Sequence, residues 1–170
     1  MGCIVTLGCT NGLNQIRDSN AHVDVVFDKI KDIEIEKLKN IGAEWREPEV
    51  LLFRYHFPED SIGIGIPFLL KRTDDKMIRY KSQNNWIAID SIADYLQLDT
   101  IGLSVERMVY CFKLMENTNI KRINNINNPR VLYLEKDTLT FYYVFDNKYI
   151  TNNKFADKLK CLEGNWWIEK

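Results

Sequence analysis

The sequence predicts an α+β fold: one domain carrying a mainly antiparallel, twisted sheet with three to four helices packed on one face. Three observations predict it. Short apolar runs bounded by turn residues follow one another from Val50 to Ile89 with no helical segment between them, as in an antiparallel meander. A single longer segment from Ser104 repeats its apolar residues at helical spacing. Strand-like runs outnumber helical ones and do not alternate with them, which excludes a parallel sheet of βαβ units. A length of 170 residues suits one domain, and 45% hydrophobic with 12% aromatic content is enough for a core and too apolar for a disordered chain.

The elements are read in order as follows. Cys3 to Leu7 is a first strand, ended by Thr10-Asn11-Gly12, and His22 to Phe27 is strand-like because Val and Phe favour sheets. Asp32 can cap a short helix to about Ile41, with Leu38 and Ile41 on one face and Gly42 as its stop. The chain then turns outward through Glu44 to Glu49. Val50 to Phe57 is a strand of ambiguous register, since its apolar residues occupy both parities, and Pro58-Glu59-Asp60 ends it. Ile62 to Leu70 follows, with Gly63 and Gly65 leaving a bare strip on one face. Thr73-Asp74-Asp75 turns into Met77 to Lys81, and Trp86 to Ile89 completes the meander. Asp90 or Ser91 caps a helix to Leu98. Ser104 opens the longer helix to about Asn117, where Val105, Met108, Val109 and Phe112 trace one stripe. Asn117 to Asn128 holds six Asn and reads as the longest loop. Val131 to Leu134 and Leu139 to Phe145 form a hairpin around Glu135-Lys136-Asp137. Lys154 to Leu162 reads as a short helix stopped by Gly164, and Trp166 to Ile168 as a terminal strand.

The chemistry available is sparse. His22 and His56 are the only histidines, and neither neighbours a cysteine or a metal-spaced carboxylate. Cys3, Cys9, Cys111 and Cys161 form no C-x-x-C pair, so no metal site is expected, nor any cofactor. Gly63-x-Gly65 lacks the third glycine and following helix of a phosphate-binding fingerprint. Met1-Gly2-Cys3-Ile4-Val5-Thr6 fits a myristoylation pattern, so lipidation at Gly2 and Cys3 is expected only for a source that is, or infects, a eukaryote. No transmembrane segment is expected, and the cysteine usage suits the cytoplasm. A net charge of −1 excludes a generally basic nucleic-acid binder, although residues 1–60 carry 11 acids and 7 bases while 61–136 carry 8 acids and 11 bases.

These exclusions favour a non-catalytic protein that works by binding another protein, of the inhibitor, immunity or antitoxin type, masking a partner's surface sterically. Its candidate contact residues are Glu44, Trp45, Arg46, Glu47, Glu49, Arg54, Tyr55 and His56, where rings and polar tips share one stretch of acidic chain. A first alternative is nucleic-acid binding through the helices and basic loop of residues 91–130, with Arg107, Lys113, Lys121, Arg122 and Arg130 meeting phosphates. A second is a metal-dependent hydrolase or nuclease using Asp60, Asp74 and Lys76, which requires the acids and the lysine to converge on one ion.

Overall fold

The computed structural model describes residues 22–56, 66–92, 102–126, 128–146 and 157–169. The chain divides into two compact units, Met1–Ile33 and Glu34–Lys170. In the first, residues 22–27 are helical (α1) rather than extended, and Val26, Phe27 and Ile30 are buried among its described residues. The sheet preference of Val and Phe is overridden here, and Val25 is 58% exposed.

The second unit is built on one ten-stranded sheet, antiparallel throughout. Its strands are β1 (Ile41–Glu47), β2 (Val50–Tyr55), β3 (Ile66–Arg72), β4 (Ile78–Ser82), β5 (Asn85–Ala88), β6 (Arg122–Asn124), β7 (Val131–Lys136), β8 (Leu139–Val144), β9 (Leu159–Cys161) and β10 (Trp166–Glu169). They lie in the order β5-β4-β3-β2-β1-β6-β7-β8-β10-β9. A meander runs outward from β1 to β5. The chain then returns through helix α2 (Val105–Thr118) to place β6 against the other side of β1; β6, β7 and β8 follow in order, and β10 then lies between β8 and the edge strand β9. Two-residue turns join β4 to β5 and β7 to β8. Each opens on a left-handed residue, Gln83 or Asp137, matching the turn to the sheet twist.

The expectation of three to four helices on one face is corrected: among the described residues the helices are two, α1 and α2, and only α2 belongs to the sheet-bearing unit. Asp32 to Ile41 forms only a 3-10 turn, Ile35–Leu38, because left-handed Asn40 ends it and Ile41 enters the sheet opposite Tyr55. Leu159–Cys161 is a strand beside β10, where helix was expected. Ile89–Ser91 is a 3-10 turn, and the rest of that expected helix, with Cys3 to Leu7 and Gly63-x-Gly65, lies outside the described residues.

Registry assigns the two faces. Ala43 pairs with Phe53, Phe53 with Phe68, and Leu70 with Tyr80, so these residues share the face toward α2. Ile123, Leu134 and Phe141 continue it. Met108, Cys111, Phe112 and Met115 of α2 close this face, and Ser104 caps the helix by accepting the Arg107 N–H at 3.2 Å. On the opposite face the two halves differ. Val131, Tyr142, Val144 and Leu159 form a second buried cluster with Tyr133 and Trp167 packed against it. Across β1 to β5 that face carries exposed Arg54, Pro67 and Lys81 between half-buried Leu52 and Leu69.

The asparagine-rich segment is ordered chemistry as well as connection. Arg122–Asn124 is a strand, and Asn125, 1% exposed, ties three backbones together. Its Oδ1 accepts the Asn40 N–H at 2.8 Å, and its Nδ2 donates to the carbonyls of Asn128 and Val131 at 3.2 and 2.9 Å. The chain then lays Ile126 on Gly42, where a Cβ would come within 2.6 Å of Ile126 Cδ1. Gly42 is thus a site of close approach inside a strand, and not a helix stop.

Candidate functional site

The tips of two hairpins and the C-terminal half of α2 enclose a groove of about 530 Å³. The β1–β2 turn contributes Pro48 and Glu49, and the β3–β4 turn contributes Thr73 and Asp74. Trp45, Phe112 and Arg72 form the interior. A register shift between Trp45 and Glu47 makes Arg46 the extra residue of a bulge, so Trp45 faces α2 while Glu44 and Glu47 face away.

The interior is a fixed assembly of rings and one ion pair. The Trp45 indole meets the Phe112 ring edge-on, with centroids 5.4 Å apart at 74°. Its Nε1–H donates to the Ile120 carbonyl at 3.0 Å, which locks the ring. Arg72 donates through Nε and Nη2 to the two carboxylate oxygens of Glu116 at 2.7 and 2.5 Å, a forked pair. The same guanidinium lies 5.7 Å from the centroid of Phe112. Glu116 raises the Arg72 guanidinium above its ordinary range through this hydrogen bonding. At the β3–β4 tip, the Asp75 carboxylate accepts from Thr73 Oγ1 at 2.5 Å, Arg79 at 2.6 Å and the Met77 N–H at 3.1 Å, and these bonds hold its pKa down to about 2. Lys121, also on the groove, faces Asp137 at 3.3 Å. Glu49 and Asp74 have no ion-pair partner among the described residues.

The sequence-selected contact residues divide between the faces. Trp45 and Glu49 line the groove. Glu44 lies on the opposite face between Arg46 and Arg122, with the latter at 3.1 Å, and Arg54 is exposed on that face beside Gly42. Glu47 is exposed at the hairpin end. Tyr55 is 2% exposed; its hydroxyl donates to the Gly102 carbonyl at 3.2 Å and Arg107 covers its ring at 5.4 Å, so it is core. His56 is half-buried, its N–H donating to Asn40 O at 2.8 Å, and its Nδ1 is buried with no hydrogen-bond partner among the described residues.

The basic set is not gathered into one patch. Arg107 spends its guanidinium on the carbonyls of Lys37, Lys39 and Gly102, pinning the start of α2 to the strand entry. Lys113 is exposed on α2, Arg122 lies on the sheet face opposite α2 with Glu44 and Glu135, and Arg130 is exposed in the turn before β7. Of the hydrolase set, Asp74 and Lys76 occupy the β3–β4 turn, Lys76 with φ 61°, while Asp60 lies outside the described residues. No group of three or more His, Cys, Asp or Glu placed to hold a metal occurs among the described residues. The Cys111 thiol is wholly buried and pushed up to about 12 by desolvation, far from thiolate reactivity. No helix among the described residues is long and apolar enough to cross a membrane.

Of the contact residues expected from sequence, Trp45 and Glu49 line this groove, and Arg72, Phe112 and Glu116, which line it beside them, were not among those expected. Phe112 was visible only as a core position of the helical stripe. The Arg72–Glu116 fork had no sequence signal, because it joins a strand end to a helix whose placement only the fold defines. No protein-family model, curated protein or solved structure matches the chain.

Proposed function

We propose that the protein acts without catalysis, by holding another protein in the groove between α2 and the two hairpin tips. One observation carries this reading: a half-buried indole, locked against the buried Phe112 ring, lines an open groove whose rim is charged. Protein–protein contacts are dominated by such rigid aromatic anchors surrounded by polar groups that exclude water. The groups around the rings suit recognition more than bond-making. Glu116 is committed to Arg72 and Asp75 to its own turn, which leaves Glu49 and Asp74 on the rim as steering charges. An inhibitor, immunity or antitoxin role, in which the bound partner loses its own function by being covered, is consistent with this arrangement.

The test uses the full chain as bait in extract of its source, beside Trp45→Leu, which shortens the anchor, and Asp74→Trp, which plugs the groove from an exposed turn. A partner retained by the native chain and weakened about tenfold or more by each folded variant is the expected result, the scale of a lost hot-spot side chain. A partner retained equally by all three would remove the groove from the account.

A further inference from the structure

The groove's charge points to the chemistry of what enters it. Both of its cations are engaged: Arg72 is forked by Glu116, and Lys121 faces Asp137. The carboxylates at its mouth, Glu49 on one hairpin tip and Asp74 on the other, have no ion-pair partner among the described residues. Among the residues that line the groove the uncompensated charge is therefore negative; Lys76, exposed on the same turn as Asp74, is not one of them. That negative charge repels phosphates and acidic side chains and attracts a cation.

The interior already displays the arrangement such a cation needs. Arg72 lies over the Phe112 ring while a carboxylate holds its planar fork. A guanidinium can stack on a ring and bind a carboxylate in the same pose because it is flat and weakly hydrated. The Trp45 indole stands beside Phe112, and Glu49 and Asp74 line the same groove from the two tips. A second ring, Trp45, and two carboxylates, Glu49 and Asp74, thus line the same groove, and neither carboxylate is paired with a cation among the described residues.

We propose that the groove receives a basic side chain of the partner protein, with arginine favoured over lysine, and hence that the partner presents a basic surface here. The proposal rests on reading the groove as the partner-binding surface. Indole stacking and the carboxylates of Glu49 and Asp74 would hold the guanidinium, with Arg72–Glu116 as the fixed wall beside it.

A random-peptide display library selected on the full-length chain tests both readings separately, with Glu49→Gln/Asp74→Asn and Trp45→Leu as comparison baits. The expected outcome is enrichment of peptides sharing an Arg or Lys, binding about tenfold weaker to Glu49→Gln/Asp74→Asn, with a similar loss when citrulline replaces the arginine. Peptides that lack a basic residue and ignore Glu49→Gln/Asp74→Asn, yet are lost on Trp45→Leu, would overturn the cationic assignment while leaving the groove as the binding surface. Peptides indifferent to every substitution, or no enrichment at all, would overturn both.

Discussion

At the scale of single residues, the most exacting demands fall on polar groups. Asn125 is buried, and its amide satisfies an N–H and two carbonyls, so it defines how the chain between β6 and β7 folds back. Asp75 does comparable work at an exposed tip. Its carboxylate gathers Thr73, Arg79 and the Met77 N–H, and this gathering lowers its pKa from 3.8 to about 2. A carboxylate whose folded pKa lies below its unfolded one stabilises the turn fully above about pH 4, and that stabilisation fades as pH falls toward 2. NMR titration of the Asp75 carboxyl carbon should therefore give a midpoint near 2. A midpoint near the ordinary 3.8 would mean that the turn's hydrogen bonds do not favour the charged form. Because Asp74 rides on this turn, the same titration reports on one wall of the groove.

At the scale of elements, α2 is what turns the sheet into a site. Phe112 is 1% exposed and touches Trp45 from β1 and Arg72 from β3, so it joins helix to hairpins. Phe112→Ala should destabilise the chain by about 3–5 kcal/mol in urea unfolding, as for other buried rings replaced by a methyl. A loss below about 1 kcal/mol would show that the groove floor is not packed as described. Much at this scale was legible. The stripe from Ser104 defined α2, and two strand-like runs around Glu135-Lys136-Asp137 marked the β7–β8 pair, although Glu135 and Lys136 belong to β7 and the turn is shorter than expected. Elements were misread where one pattern serves two structures. The Val and Phe of residues 22–27 favour a strand by residue type, yet the buried residues Val26, Phe27 and Ile30 have helical spacing. Gly42 resembles a helix stop, yet it sits in a strand because Ile126 needs the space. The site was half legible. An indole among acids advertised Trp45 and Glu49, whereas Arg72, Phe112 and Glu116 join them only through strand registry and helix docking, which no local pattern encodes.

At the scale of the sheet-bearing unit, the sheet treats its halves differently. The β7–β8–β10–β9 half carries buried residues on both faces, and Tyr142, with the partly buried Tyr133 and Trp167 packed beside it, belongs to a second core. Among the described residues the β1–β5 half is closed by α2 on one face only, and its hairpin tips line the groove. Contact with a partner is thus expected at the tips and α2, where the locked Trp45 indole is half-buried in an open groove, and not on the opposite face, where Lys81 and Arg54 stand exposed among half-buried aliphatics. The most direct test places a photo-crosslinking residue at Asp74 in one full-length chain and at Lys81 in another, and irradiates each in cells of the source. A covalent adduct with one protein from position 74, abolished by Trp45→Leu and absent from position 81, is the result this account predicts. An adduct from position 81 alone, or an adduct from position 74 that Trp45→Leu leaves unchanged, would contradict it.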